Sequence, residues 1–137
     1  VFSMHEDTLF VEQALQAGMH HDGMHFFPIA AGRGLLVMNH EYTDEGLLHP
    51  DGLHRWSAAK VAKSQAAHGV SVIEVRRGRD GRWAVQRPSR YARRITASTP
   101  MRIAGPAAGH ALMRTALDPS GTRVLGTFNN CAHGATP

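Results

Sequence analysis

Hydrophobic residues occur along this chain in short runs that are separated by glycine and proline. With 14 Gly and 7 Pro in 137 residues, the pattern favours short strands and loops over long helices. We predict strands at 26–29 and 35–39 around a polar turn region at 30–34. A second hairpin is predicted from strands at 70–77 and 82–86, because Asp80-Gly81 supplies the positive-φ position that tight turns require.

One longer segment has a helical pattern. Between residues 52 and 68 the apolar side chains fall near helical spacing, and Gly69 is placed to cap the C-terminus of a helix there. A shorter helical turn is predicted at 112–116, followed by a type I turn at 118–121 and a strand at 123–128. The chain is therefore predicted to be mainly β with one or two helices, and residues 1–137 are interpreted as a single domain.

Composition and charge exclude some classes of protein. The chain is 42% hydrophobic and 19% charged, with a net charge of +4, and no run approaches the roughly 20 apolar residues that a membrane span needs. The arginines could meet phosphate as easily as nucleic acid, but they are not interleaved with stacking aromatics, so nucleic-acid binding is not favoured. These arginines are Arg76, Arg77, Arg79, Arg82, Arg87, Arg90, Arg93 and Arg94.

The chemistry is expected to centre on the segment T-F-N-N-C-A-H-G-A-T-P, which holds the single cysteine. Cys131 has no cysteine partner within the chain, which leaves a buried inert thiol, a reactive nucleophile or a soft metal ligand. The neighbouring Asn129, Asn130 and His133 offer side-chain donors and acceptors, which favours the last two. A nucleophile paired with His133 is the weakest of the alternatives, because no third orienting group is identifiable.

A carboxylate and several histidines lie near the first predicted hairpin. Glu41 follows an apolar strand directly, so it is placed to reach a central site, although a carboxylate at a strand end is more often solvated or capping. His40 could ligate a metal or could instead satisfy a backbone carbonyl. The dense group His20-His21-Asp22 with His25 matches no known zinc spacing.

A third constellation, residues 93–110, is rich in small residues and arginine. Its glycines, prolines and alanines indicate a close-packed loop that meets either another segment of the protein or a ligand. In the functional interpretation, Arg94 or Arg102 would orient a phosphate through its planar guanidinium, and His110 would be a polar residue of the cavity. Tight packing between segments is the competing interpretation.

Three stretches together resemble, in order and spacing, the N-terminal part of the PhoX family of bacterial phosphatases. They are G-L-L-V-M-N-H-E-Y-T at 34–43, R-R-I-T-A-S-T-P-M-R-I-A-G-P-A-A-G-H at 93–110 and the final N-N-C-A-H-G-A-T-P. The resemblance extends over nearly the whole chain from about residue 20. In the family the cysteine motif continues into a W-G-T segment, so the chain is similar to an N-terminal portion of a larger phosphatase with a partial β-propeller-like architecture.

The resemblance also implies a site and a reaction. It implies a pair of iron ions bridged by the motif cysteine, with calcium alongside, in an enzyme that hydrolyses phosphate monoesters in the bacterial periplasm or after secretion. Carried over by position, Cys131 takes the bridging thiolate role and Glu41 a carboxylate ligand role, while Asp22 lies where the family carries oxygen ligands. We expect activity only in the complete protein, and self-association of this chain through exposed strand edges. The alternative is a non-catalytic β-rich structural or binding fragment.

Overall fold

The structure is a computed structural model that describes residues 17–136. Nine strands and helices and one 3₁₀ helix follow one another in this part of the chain. In chain order they are β1 (His21–Ala30), β2 (Arg33–His40), α1 (Glu45–Leu48), α2 (Ala58–Ala67), β3 (Gly69–Arg77), β4 (Trp83–Val85), β5 (Arg93–Ile95), β6 (Pro100–Arg102), the 3₁₀ helix (Ala111–Met113) and β7 (Arg123–Leu125).

An antiparallel five-stranded sheet forms the larger part of the fold. Its order is β1-β2-β3-β4, and β5 pairs with the opposite end of β3 from β4. The β2–β3 register runs without interruption from Arg33 opposite Arg76 to His40 opposite Gly69. Strands β6 and β7 form a separate two-stranded antiparallel sheet. The predicted mainly β fold with one or two helices is confirmed by this arrangement, whereas propeller closure stays a prediction.

Both predicted hairpins are present, with changed limits. The first has longer strands than expected, because the pairing reaches from His21 opposite His40 to Ala30 opposite Arg33. The second has a shorter return strand, since β4 contains only residues 83–85. The strand predicted at 123–128 is also shorter and ends at Leu125 as β7.

The helix predicted at 52–68 was too long. Helix α2 begins at Ala58 because the side chain of Ser57 accepts a hydrogen bond from the Lys60 amide, and residues 52–57 lie before it in turns and extended chain. Gly69 does not cap the helix as predicted but is the first residue of β3, with φ +113°. A Cβ atom there would lie 2.0 Å from the Ile95 carbonyl oxygen, so glycine permits the close approach of β3 and β5.

The buried interior is small and partly polar. Met19, Leu48 and Ala67 form an apolar cluster where the N-terminal chain, α1 and α2 meet. Met38 in β2 is buried, and Glu74 in β3 is only 2% exposed although it carries a carboxylate. Arg33 and Ser89 donate hydrogen bonds to that carboxylate, which compensates for its burial. Within residues 17–136, neither helix has the length and apolar character needed to cross a bilayer.

Candidate metal centre

The structure brings together the three residues predicted to bind metal. Asp22, Glu41 and Cys131 each offer one ligand atom, and these atoms lie within 4.8 Å of one another. The two carboxylates are half-buried, while Cys131 is exposed. Because the residues are far apart in sequence, only the folded chain can place them at this separation.

The β1–β2 hairpin positions the two carboxylates. His21 pairs with His40, so Asp22 and Glu41 stand beside the last paired residues of the two strands. The Glu41 amide donates to the His20 carbonyl oxygen at 3.0 Å, which extends the hairpin by one bond to Glu41 itself. Both side chains are therefore fixed through their backbones at one end of the sheet.

The cysteine segment lies against this end of the hairpin. The Gly23 amide donates to the Cys131 carbonyl oxygen at 3.0 Å, and the Asn39 side-chain amide donates to the same oxygen at 2.9 Å. A Cβ atom on Gly23 would lie 2.6 Å from the Cys131 carbonyl oxygen, so the segment touches the β1 backbone directly. Sequence reasoning did not assign Gly23 or Asn39 a role.

The electrostatics of the cluster suit a cation. Hydrogen bonds to Asp22 first and then Glu41 raise the pKa of the Cys131 thiol to about 11, so the thiol is protonated at neutral pH unless a cation is bound. A bound cation would reverse this preference, because a metal-coordinated thiol loses its proton. The thiolate is a soft ligand and the carboxylates are hard ligands, and such a set suits a transition metal such as iron. The carboxylates alone also suit calcium.

The histidines near the cluster have other partners. His40 is buried, and its Nε2 lies 2.7 Å from the Ser71 hydroxyl. Burial first, then the charge of Arg94, lowers the pKa of His40 to about 3, so its ring is neutral at neutral pH. Its Nδ1 is buried without a hydrogen-bond partner among the described residues. The rings of His20 and Tyr42 stack with 3.7 Å between their centroids. His21 Nε2 lies 3.0 Å from the Gly18 carbonyl oxygen. His21 and Asp22 lie in strand β1.

The three residues predicted to contact phosphate lie in different parts of the fold. The Arg94 guanidinium donates to the carbonyl oxygens of Ile95 at 2.6 Å and of Ala66 at 2.8 Å, and burial lowers the pKa of Arg94 to about 10. His110 Nδ1 accepts a bond from the Leu112 amide at 3.2 Å and so caps the 3₁₀ helix. Arg102 lies in β6, is exposed and pairs in register with Arg123. Their contact with phosphate stays a prediction.

The fold and the cluster together give the class of protein. It is an antiparallel β protein with a candidate metal centre of one thiol and two carboxylates. The sequence matches the family described as Alkaline phosphatase PhoX over residues 3–137, and the chain belongs to that family. The resemblance to PhoX is thereby confirmed.

A solved structure gives the same result from the fold. The chain is similar to Pseudomonas fluorescens PhoX in complex with vanadate, a transition state analogue, with 49% sequence identity and a TM-score of 0.83. The match covers 90% of this chain and 22% of the Pseudomonas protein, so the chain spans about a fifth of that protein's length. No curated protein matches the sequence.

Proposed function

We propose that this chain supplies the N-terminal part of a metal-dependent phosphomonoesterase site, which hydrolyses phosphate monoesters only in the complete protein. The observation that supports the proposal best is the convergence of Asp22, Glu41 and Cys131 within 4.8 Å. Membership of the PhoX alkaline phosphatase family gives the reaction class. Because the chain spans 22% of its structural relative, further ligands are expected from the rest of the complete protein.

Iron and calcium are the cations that we propose for the site. The Cys131 thiolate would hold iron, the carboxylate of Glu41 would complete part of the same coordination sphere, and Asp22 would offer oxygen to either ion. When bound, such cations polarise phosphoryl oxygens and stabilise the charge that develops during displacement. The residues of this chain would fix the ligands and bring one thiol and two carboxylates to one place.

The substrate class follows from the relative and from charge. Vanadate, described as a transition state analogue, is bound by the Pseudomonas protein, which supports a phosphate ester as the substrate here. Arg94 has its guanidinium on main-chain carbonyls. Exposed Arg102 is therefore the better candidate of the two for contact with a phosphate, and His110 stays a candidate for lining the cavity. These three assignments are proposals that substitution can test one at a time.

The test is Cys131→Ser in the full-length gene product. A serine hydroxyl does not ionise at neutral pH and is a far poorer ligand for a soft metal, so we expect loss of iron and of p-nitrophenyl phosphate hydrolysis with the fold retained. Iron content, circular dichroism and phosphate release are measured on the same sample. The isolated 137-residue chain is expected to hydrolyse this substrate at a negligible rate, because it carries only part of the ligand set.

Ala132→Ser is the matched control, because it introduces the same hydroxyl one residue away on the same exposed segment. It should keep both iron and activity. Wild-type iron content and activity in Cys131→Ser would remove the thiol from the site. Absence of metal and of phosphatase activity from the wild-type protein itself would support the alternative of a non-catalytic β-rich fragment.

We also propose that the protein acts in the periplasm or after secretion. The support is the family alone, because an alkaline phosphatase that takes phosphate from external esters has its substrate outside the cytoplasm. Fractionation of the source bacterium, with a cytoplasmic enzyme as marker, tests the location. Recovery of the protein only with the cytoplasmic marker would overturn it.

A further inference from the structure

Two asparagine side chains link the segments that carry Glu41 and Cys131. Asn39 Nδ2 donates to the carbonyl oxygens of Cys131 at 2.9 Å and of Ala132 at 3.2 Å. In the opposite direction, Asn129 Nδ2 donates to the Glu41 carbonyl oxygen at 3.2 Å. Each asparagine stands two residues before the candidate ligand of its own segment and binds the main chain of the other segment.

A local irregularity of β1 adds a bond from the backbone. The β1–β2 register shifts between His21 and Met24, so the Gly23 amide lies within an interruption of the ladder. This amide donates to the Cys131 carbonyl oxygen at 3.0 Å, and the oxygen thus accepts from both Gly23 and Asn39. Irregularities of this kind often lie beside functional sites, where they redirect a backbone or side-chain group.

The cysteine segment needs such tethers. Residues 126–136 form no helix or strand, so no ladder of backbone bonds fixes the position of Cys131. Hydrogen bonds from neutral amides to carbonyl oxygens can hold the backbone without adding charge to the cluster.

We propose that Asn39 and Asn129 form a reciprocal clasp of positioning residues, which holds the Glu41 and Cys131 segments at the separation a metal requires before any cation binds. The inference rests on the proposed metal site for its functional meaning, but the clasp itself is a property of the polypeptide. Residues that orient metal ligands raise the affinity of a site, because affinity depends on the ligands being fixed in advance.

The chemistry of asparagine explains both positions. At position 39 the side chain faces two carbonyl oxygens, so an aspartate of the same shape would replace a donor by an acceptor and add a negative charge. Asn129 has φ +51°, a conformation that asparagine and glycine adopt more readily than other residues. Asn129 therefore supplies both the left-handed turn and the amide donor.

The test uses the full-length gene product with Asn39→Asp and Asn129→Gly. Glycine keeps the left-handed conformation at 129 and removes only the amide. We expect iron affinity to fall about 10–100-fold in each variant, the usual effect of removing a group that orients a metal ligand. The absorption band of thiolate-to-iron charge transfer should weaken or shift in the loaded protein, because Cys131 is no longer held at the same place.

Asn130→Asp is the matched control. It adds the same negative charge next to Cys131, yet it keeps the Oδ1 atom that accepts from the Thr127 hydroxyl. If charge alone caused the effect of Asn39→Asp, this control would reproduce it. We expect Asn130→Asp instead to retain wild-type iron affinity within about threefold, well below the effect of the clasp variants.

A second measurement does not depend on metal. In chelator-treated protein, hydrogen exchange of the peptide 127–133 should be faster in both clasp variants than in the wild type and the control. If the wild-type protein binds no iron but its exchange pattern follows this expectation, the proposed function fails and the clasp stands. If iron affinity, absorption and exchange in Asn39→Asp and Asn129→Gly all equal those of the wild type, the clasp is overturned.

Discussion

Two regions of the chain differ in how much of their side chains they bury. The first, residues 17–97, is called the sheet region, and its five strands and two helices surround the buried side chains. In residues 98–126, the β6–β7 region, two strands of three residues each pair only with each other in the described structure. Every side chain that is buried among residues 17–136 lies in the sheet region. The β6–β7 region instead exposes Leu112 by 88% and Leu117 by 93%.

The two regions therefore contribute differently to the candidate metal centre. The sheet region carries Asp22 in β1 and Glu41 directly after β2, so the β1–β2 hairpin fixes the backbones of both residues. The β6–β7 region carries the chain away and returns it, and its exposed leucines offer apolar surface through which we expect copies of the isolated chain to associate. At the return, the Gly126 amide donates to the Thr99 carbonyl oxygen at 2.7 Å, after which Cys131 reaches the sheet region.

The largest effect is expected from Gly69→Ala in the sheet region. The new Cβ would lie 2.0 Å from the Ile95 carbonyl oxygen at φ +113°, so β3 and β5 must separate. We expect a loss of about 4 kcal/mol or more in the free energy of unfolding, because a backbone clash cannot relax as a side-chain contact can. Gly69 pairs with His40, beside Glu41, so the iron content should fall as well. Thermal unfolding and iron analysis of the full-length protein measure both.

Gly105→Ala in the β6–β7 region is the control. It has φ +79° but no atom within 4 Å of the added Cβ, so it isolates the cost of the left-handed backbone. That cost is about 1–2 kcal/mol, and iron content should be unchanged. Equal destabilisation by the two substitutions would show that the close approach of β3 and β5 contributes little.

The sequence predicted the hairpins because their signals are local. Short apolar runs and the Asp80-Gly81 turn are properties of a few neighbouring residues, whereas the limits of α2 depend on a Ser57 cap that the apolar spacing does not reveal. The three-residue strands β5 and β6 were missed, because they are too short to show a period and form only where a partner strand lies. The pairing of β2 with β3 could not be derived, since 28 residues separate their facing ends, His40 and Gly69.

The candidate site was predicted unevenly for a similar reason. Cys131 and Glu41 were named from their residue types and from the family resemblance, but no spacing rule connects residues 41 and 131. Asn39 and Asn129 stand within the motifs that were quoted, yet their function lies in hydrogen bonds across about 90 residues of chain, which only the fold creates. Arg94 was selected for its charge, whereas its guanidinium binds main-chain carbonyls that the sequence cannot display.

A smaller effect is expected from removing exposed leucines in the β6–β7 region. We predict that the isolated chain self-associates, and that Leu117→Glu with Leu125→Glu weakens the association about tenfold or more. Each leucine that is covered on association contributes about 1.5–3 kcal/mol, and a charge there opposes burial. A concentration series in sedimentation or light scattering measures the change.

The comparison variant carries Leu47→Glu with Leu53→Glu in the sheet region. These leucines are also exposed, by 76% and 64%, but they lie in and after α1, outside the β6–β7 region. They should leave the association constant nearly unchanged. A monodisperse monomer of the isolated wild-type chain at all concentrations would refute the prediction of self-association.

The smallest effect concerns two carboxylates, one in each region. Hydrogen bonds from Arg33 and then Ser89 lower the pKa of Glu74 from its ordinary 4.5, and bonds from Ser120 and the Arg123 amide lower the pKa of Asp118 to about 2. A carboxyl group with a lowered pKa stabilises the fold above its ordinary pKa, and this stabilisation is lost as the pH falls through the folded-state value. We call the difference in the free energy of unfolding between wild type and a variant its stability gap. The stability gap of Glu74→Gln should therefore be constant above pH 5 and become smaller below about pH 4.5.

The stability gap of Asp118→Asn should become smaller in the same way at lower pH, between the ordinary pKa of 3.8 and the folded-state pKa of about 2.

The two carboxylates should differ in their response to salt. Glu74 is bound by the charged Arg33, whereas Asp118 accepts from neutral amides and a hydroxyl, with the Thr122 amide at 2.8 Å. Salt screens the attraction between charges more than a neutral hydrogen bond, and in 1 M salt the screening length is about 3 Å. The difference in the free energy of unfolding between wild type and Glu74→Gln should therefore shrink in 1 M salt. The corresponding difference for Asp118→Asn should not. Chemical denaturation with urea, which is uncharged, at several pH and salt values measures both gaps. An Asp118→Asn gap that shrinks as much as the Glu74→Gln gap would contradict the assignment of these partners.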